Sequence, residues 1–512
     1  MKNKLLFATT MSLALLILIS SCSPSMESHK FSFDLNYEES ANQVFKVKSG
    51  EKATRIPDPI REGFTFLNWF TTNNNSTVYD FTKPVYSDKT VYAHWENSVT
   101  NSLPRMYVNL KDASGNTINI DSVQRDPYVN GTVSLYDESD VIILNEVPTE
   151  FKGRGNGSWE EDKKGYRFKF NEKQSIFGQP SSRHWAIIAC QSAQFPEGTL
   201  LKNATAYNMA RDVLTNIEYT TSTKSMEVYF NGYYHGVYLL TEHVRVDTGR
   251  VDIPSQFGVL DTGYLVEYDS YADYDAATNT SLVEGIHYFS VPDVKYKFTV
   301  KSPDPDDYWK TDKESKFKEQ VAYIRDYVKS VYAAALRSDY STFVTLADLP
   351  SFVDMYILHE FFKNTDTGWS SFYMYKKPSG LLYAGPAWDF DATAGSSRGD
   401  SSPEGIYVAD TILSREYSAF TSSELFINLY KSSGFKNAVR LRWAEIVPDV
   451  IEYVNHFLSD AFFENKKSTF ARNFVKWRGM TQSDAETYWY TSCINLRTWL
   501  LDRAAWLTEH WA

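Results

Sequence analysis

At 512 residues the chain exceeds one ordinary domain of about 100 to 200 residues and has room for roughly two to four units. Hydrophobic residues make up 43% and charged residues 23%, the balance of a globular protein, which excludes a largely disordered chain. A formal net charge of -12, with no dense Lys/Arg stripe, excludes nucleic acid as the main partner, because neutralising phosphates needs a basic surface.

The first predicted element is a targeting segment. Lys2 and Lys4 precede an apolar run from Leu5 to Ile19, and "ISSC" follows. A short positive stretch, an apolar stretch and small residues before a cysteine stand in the order of a secretion signal, and the run is too short for a comfortable bilayer span. A bacterial lipoprotein signal over residues 1–21, with cleavage before Cys22 and lipid on its thiol, accounts for all of this; a signal cut elsewhere, with Cys22 incidental, is the plainer alternative. The expected location is extracytoplasmic, at the cell surface or in the periplasm, with the Cys22 lipid as the membrane contact. Only Cys190 and Cys493 then remain, too few for a disulfide framework, and their apolar surroundings suit small buried hydrophobes.

A polar tether over residues 22–30 leads into residues 31–96. There "FSFDL", "VFKVKSGEKATRIPDP", "REGFTFLNWF", "TVYDF" and "KTVYAHW" alternate in polarity between Gly and Pro residues, which predicts a small β-rich module. On Gly50, Pro57, Pro59, Gly63, Phe66, Trp69, Tyr79, Asp88, Tyr92 and Trp95 this stretch resembles the Listeria-Bacteroides repeat; Asn68 stands where that family usually has Gly, and the start from Asn36 to Gln43 is longer and more polar. The resemblance implies a spacer or an adhesion element, and its aromatics are expected in the core.

Residues 104–300 read as strand-rich. From Thr311 the period changes, and Phe317, Val321, Ile324, Val328, Val331 and Ala335 recur at four and three, the stripe of an amphipathic helix. A second helix is expected from Ser351, with Ser351 as N-cap and Asp354 three residues on. Roughly the last ninety residues are helical by pattern. The fold class expected is α+β, a β-rich half followed by a helical half.

The second helix is expected to end near "KNTDTGWSS", leaving Asn364 and Asp366 in a loop. "FYMYKK", the turn "PSG" and "LLYAGPAW" then predict a β-hairpin, directly followed by Asp389, with Asp391 two residues on. Helix, loop acid, hairpin, acid is the order protein kinases use: the loop acid faces the attacking hydroxyl, and the acid beyond the hairpin holds magnesium against the nucleotide phosphates. Hard oxygen ligation by one or two carboxylates suits Mg²⁺, which keeps waters and takes phosphate oxygens for the rest of its shell.

"EFKGRGNGSWEEDKKGYRFKF", "SIFG", "HWAIIA", "LLKNATAYNMA", "VYFNGYYHGVYLLTEHV", "GYLVEYD", "FTVKSPDPDD", "NTDTGWSSFYMYK" and "GPAWDFD" occur in the order seen in the spore-coat protein H (CotH) kinase family, and residues 103–512 resemble that family. The resemblance implies a two-lobed atypical protein-kinase-like domain with a helical C-terminal lobe, transferring phosphate from ATP to Ser or Thr of a protein with Mg²⁺ or Mn²⁺. Carried over, Asp366 is the catalytic-loop acid and Asp389 the metal-binding acid, with Asp391 as a second ligand or support. One departure bears on activity. Better-known members carry Asn where this chain has Ser370 and Ser371, so an amide that could hold a second metal is replaced by a hydroxyl, and a pseudokinase is a standing alternative.

On the nucleotide side, the period of two in "KKGYRFKF" puts Tyr166, Phe168 and Phe170 on one face and Arg167 and Lys169 on the other. One of these two cations is the candidate for the α/β-phosphates; the plain reading is a surface strand with two solvated cations. "GRGNGSW" offers Gly153, Gly155 and Gly157, whose backbone could approach a phosphate, with Arg154 between them as a further ATP-side cation, although such a run is more often a turn. Glu242 and Glu267 each follow an apolar run; either could pair with Lys169, with Glu242 ranked first, or simply end a strand in water.

Other chemistries fit less well. "HEFFK" at His359 lacks a second histidine four residues on, and the nine histidines show no ligand spacing, so a zinc site is not expected. A glycosidase could use Asp366 and Asp389 as acid and base, and an aromatic content of 16% would suit sugar stacking. The remaining rivals are a nucleotide-binding pseudokinase and a surface adhesin or scaffold. Scarce ATP outside the cytoplasm weighs against physiological activity more than against the fold.

Overall fold

The computed structural model describes residues 27–37, 41–59, 61, 64–73, 77–97, 103–191, 198–396, 401–410 and 423–512; the signal segment and Cys22 lie outside them. These residues fall into two compact units, one holding the residues up to 56 together with 67–94, the other 57–66 and 95–512.

The smaller unit is built on the strands β1 (Ser28–Asp34), β2 (Gln43–Lys48), β3 (Phe64–Phe70) and β4 (Lys89–Asn97), in the order β2-β1-β4-β3. Strand β1 runs antiparallel to β2 and parallel to β4. Its aromatics are core: Phe31, Phe33 and Trp69 are buried, with the Phe33 and Trp69 rings edge to face at 4.8 Å. "TVYDF" forms no strand of its own; it meets the sheet through a bridge from Val78 to Phe70, the Tyr79 N–H on the Trp69 carbonyl (2.8 Å), and the Tyr79 and Phe81 rings against Phe31 and Phe33.

The larger unit begins with seven strands that close on themselves. They are β5 (Arg105–Lys111), β6 (Val129–Tyr136), β7 (Ile142–Arg154), β8 (Gly165–Gln174), β9 (Ser182–Ile188), β10 (Thr223–Phe230) and β11 (Tyr233–Glu242). Their order is β10-β11-β9-β8-β7-β6-β5, and β5 seals the barrel by pairing in parallel with β10. Period-two alternation fills it: Tyr166, Phe168 and Phe170 of β8 point inward beside Phe151, Trp185 and Tyr238, leaving Arg167 and Lys169 outside. Helix α1 (Lys202–Asp212) is inserted between β9 and β10.

Beyond β11 the chain builds a second sheet. Strand β12 (Tyr264–Asp269) is followed by a small hairpin, β13 (Tyr274–Asp275) and β14 (Thr280–Ser281), then by β15 (Tyr288–Phe289) and β16 (Lys297–Ser302). The sheet is completed by β17 (Phe372–Lys376) and β18 (Leu382–Ala384), in the order β15-β16-β12-β17-β18. Helix α2 (Glu314–Leu336) buries the whole stripe from Phe317 to Ala335. After α3 (Tyr340–Leu346) comes α4 (Leu349–Phe361), buried on every side from Ser351 to Phe361, as befits a helix with apolar residues all round. The chain ends in α5 (Glu424–Leu429), α6 (Ser433–Phe457), α7 (Asp460–Arg478) and α8 (Gln482–His510).

The start of α4 departs from expectation. Asp348, not Ser351, is the N-cap: its carboxylate accepts from the Ser351 N–H at 3.0 Å, and Pro350 fills the first turn, where a missing N–H costs nothing. Ser351 Oγ instead accepts from the Ala384 N–H at 3.1 Å, and Asp354 is buried in an ion pair with Arg442 at 2.8 Å. Cys190 and Cys493 are both buried, and neither is in a disulfide.

Candidate functional site

Helix α4 delivers the chain into a tight turn. Asn364 Oδ1 accepts from the Asp366 N–H at 2.9 Å, and the Thr367 hydroxyl donates to the Asn364 carbonyl at 2.9 Å. His359 Nδ1 stands 2.8 Å from that same hydroxyl; because the hydroxyl is already donating, the imidazole is the donor there. Strands β17 and β18 then carry the chain out and back. On its return Asn364 Nδ2 donates to the Asp389 carbonyl at 3.2 Å, Thr365 Oγ1 donates to the Ala392 carbonyl at 3.1 Å, and Ser371 Oγ lies 3.5 Å from Asp389 Oδ2. The loops that carry Asp366 and Asp389 therefore run side by side.

Phe390 explains why an aromatic separates the two acids at 389 and 391. Its ring is fully buried against His359 (4.9 Å) and Phe362 (5.7 Å), anchoring the loop. The segment is not strand, and Asp389 has φ 64°, so the simple alternation that would aim both carboxylates the same way does not apply. Lys363, Ser371 and Ala394 also have left-handed φ values of 45°, 66° and 44°. Four strained non-glycine residues within this short stretch mark it as a place where geometry outweighs backbone comfort.

Beside Asp389 the Ser371 hydroxyl offers a further oxygen, the donor type a hard divalent cation takes. Among the described residues no group of three or more His, Cys, Asp or Glu stands close enough to hold a metal, so Asp366, Asp389 and Asp391 do not form a three-acid cage. That fits an ion held by one or two carboxylates and completed by waters and phosphate oxygens.

Cations gather around His243, and one of them, Arg154, reaches the Asp389 loop. Arg154, at the end of β7, lies 5.5 Å from the centre of the Trp388 ring, next to Asp389. His243, just beyond β11, is pushed well below the ordinary histidine range by burial and then by the guanidinium groups of Arg167, Arg154 and Arg245. Among the described residues, none of these three arginines forms an ion pair with a carboxylate. Arg245 was not foreseen; nothing in its local sequence separates it from an ordinary loop arginine.

Lys169 is placed differently. It pairs with Glu150, its neighbour across β7 and β8, at 2.7 Å and lies 4.5 Å above the Tyr128 ring. The expected pair with Glu242 does not form, and strand parity is the reason. Glu242 is in register with Trp185, on the inward side with Leu240, whereas Lys169 is in register with His184 outside. Glu242 accepts from the Ser222 N–H at 3.2 Å and faces Arg250 at 3.7 Å. Nor does Glu267 meet Lys169. A Lys–Glu pair is made instead by Glu267 of β12 and Lys301 of β16, at 2.7 Å. Burial works against the Lys301 ammonium, but the carboxylates of Glu267 and Asp269 outweigh it and hold its pKa above the usual lysine value, with Arg167 near enough to oppose them. A signal for Lys301 existed: Phe298 and Val300 are the buried face of "KFTVKS", which leaves Lys301 on the other.

The glycine run passes from the end of β7 at Gly153 into a single 3-10 turn that starts at Gly157. A Cβ on Gly153 would meet the Trp159 ring at 2.1 Å and one on Gly155, at φ 107°, would meet Ser158 Oγ at 2.1 Å, so the bare backbone of these two is covered by the protein's own side chains rather than left for a phosphate.

Sequence reasoning also passed over α1. Asn203 Oδ1 accepts from the Phe390 N–H at 2.7 Å, the Tyr207 hydroxyl accepts from the Asp389 N–H at 2.9 Å, and Lys202 Nζ donates to the Thr393 carbonyl at 2.6 Å.

A β-barrel joined to an antiparallel sheet and a helical C-terminal part, with helix, acid-bearing loop, hairpin and acid in succession, is an arrangement consistent with a kinase-like domain. The family model of the CotH kinase protein matches residues 151–507, more than half of the chain, and the chain belongs to that family. Residues 29–94 match the Listeria-Bacteroides repeat domain, which suggests a surface-associated protein. No curated protein matches the chain. Among the described residues no helix is long and apolar enough to cross a membrane.

Proposed function

We propose that this chain is an ATP-dependent protein Ser/Thr kinase, two-lobed, with the nucleotide between the barrel and the acid-bearing loops. The observation that carries the reading is the side-by-side placement of the Asp366 and Asp389 loops, through Asn364 and Ser371, with Arg154 beside Trp388 and, among the described residues, in no ion pair with a carboxylate. Asp366 accepts the proton of the acceptor hydroxyl. Asp389, supported by Asp391 and Ser371, is the metal-holding group. Arg154 and Arg167 bind phosphate oxygens, with Arg245 and Lys301 adding positive charge; Lys169, already neutralised by Glu150, and Glu242, turned into the barrel end, sit outside this set. When bound, Mg²⁺ or Mn²⁺ supplies neutralisation of phosphate charge. What the residues contribute is alignment for in-line attack, since phosphoryl transfer is driven by positioning and electrostatics rather than by covalent chemistry.

In this reading the chain is a lipoprotein anchored through Cys22 and acting outside the cytoplasm on a protein acceptor, with the repeat module as spacer. Ser371 in place of an amide favours one rival, a nucleotide-binding pseudokinase. The experiment is incubation of the purified chain with labelled ATP and Mg²⁺ or Mn²⁺. Label is expected in the chain itself or an added protein, reduced about a hundredfold or more by Asp366→Ala or Asp389→Ala. Incorporation indifferent to both changes overturns the assignment. Stabilisation by ATP without transfer identifies the pseudokinase, and neither effect, together with glycan or host-protein binding through residues 31–95, identifies the adhesin.

A further inference from the structure

Three side chains from one end of α1 grip the main chain of the acid-bearing loop: Tyr207 at the Asp389 N–H (2.9 Å), Asn203 at the Phe390 N–H (2.7 Å) and Lys202 at the Thr393 carbonyl (2.6 Å). None of them approaches the loop as a reacting group would; each is spent on backbone. The grip falls at φ 64° of Asp389, a left-handed conformation uncommon for any residue but glycine, which aspartate tolerates better than most.

The gripping residues are themselves fixed. Asn203 and Tyr207 are buried, four positions apart and so on one face of the helix, and the Tyr207 ring stacks on Trp388 at 5.7 Å with an interplanar angle of 14°. Farther along, α1 is tied to the barrel by Asn208 to Thr223 (3.2 Å) and to α6 by Tyr453 to the Thr205 carbonyl (3.0 Å). The helix is thus a rigid bracket between the barrel and the loop.

We propose that Asn203 and Tyr207 are positioning residues that hold Asp389 in its left-handed conformation and so set the aim of its carboxylate. The metal affinity of the site is governed from α1, through side chains that hold the main chain of the loop. The inference rests on the proposed role of Asp389 as metal-holding acid.

The full chain and its Tyr207→Phe and Asn203→Leu variants are titrated with a fluorescent ATP analogue, with Mn²⁺ and in EDTA, and amide hydrogen exchange is followed at Asp389 and Phe390. Tyr207→Phe keeps the buried ring, so the fold has little reason to change. The expected result is about tenfold weaker nucleotide binding in Mn²⁺ for each variant, unchanged binding in EDTA, and faster exchange at the two amides. Equal weakening with and without Mn²⁺ is what a merely structural role would give, and it overturns the proposal, as does no change at all. If the parent chain binds no nucleotide under either condition, the phosphotransfer reading fails; exchange at Asp389 and Phe390 then decides the proposal alone, faster in the variants if they hold the turn, unchanged if they do not.

Discussion

Lys301 and Glu267 face each other at 2.7 Å on paired strands of the second sheet, yet about a third of the lysine side chain, 34%, is open to solvent. A cation held firmly and still reachable is what a phosphate needs. Lys301→Met is therefore expected to weaken nucleotide binding about tenfold and, because the Glu267 side chain is 8% exposed and would lose its counter-charge, to lower the melting temperature as well, which calorimetric titration and a thermal melt would establish. Glu242→Gln should separate the two effects. Its partner Arg250 is 3% exposed and would lose its counter-charge, so stability should fall by about 3 kcal/mol in a denaturant titration with little effect on nucleotide binding. The contrast also measures what could be read from sequence. Alternation in "KKGYRFKF" is local, and it put Arg167 and Lys169 outside and three aromatics inside. Which carboxylate each cation meets is set by register between strands far apart in sequence, and a shift of one position exchanges the faces. Glu242 was lost to that parity, and Lys301 was passed over for the same reason.

At the scale of elements, the long amphipathic stripe of α2 and the hairpin between the two acid loops were legible because their signals lie within one segment. The barrel was not. Strand-rich sequence announces strands but not the order β10-β11-β9-β8-β7-β6-β5, nor closure by a parallel pairing of β10 with β5. The start of α4 was missed by three residues because two good capping residues, Asp348 and Ser351, compete and Pro350 settles the matter in favour of the first. Asp348→Ala is accordingly expected to cost about 1 kcal/mol in a urea titration. Because α4 feeds directly into the Asp366 turn, fraying at its far end should leave nucleotide binding almost unchanged, whereas any loosening at His359 would reach Thr367 and the turn itself.

At the scale of the larger unit, barrel and helical part are joined through α7. Glu227 of β10 meets Arg472 at 2.6 Å, both buried, and Trp477 Nε1 donates to the His235 carbonyl at 2.7 Å. His235 sits at this junction with its ring against Trp477, and burial depresses its pKa well below the ordinary value. Such a histidine is neutral in the folded state and protonated in the unfolded one once the pH drops below about 6.5. The unfolded state then binds more protons, so stability is complete above that pH and declines beneath it by up to about 1.4 kcal/mol per pH unit for this residue. Thermal melts from pH 7 to pH 5 should therefore slope downward in the parent and less steeply in His235→Gln.

The Glu227–Arg472 pair reaches beyond stability. A chain cut after the barrel, or a barrel transplanted onto another protein, would leave Glu227 on its outer face without the Arg472 guanidinium and would open to water the surface that α7 covers. Barrel and helical part are complementary halves of one charge pair, and a foreign counterpart for either would have to match both the charge and the apolar face around it.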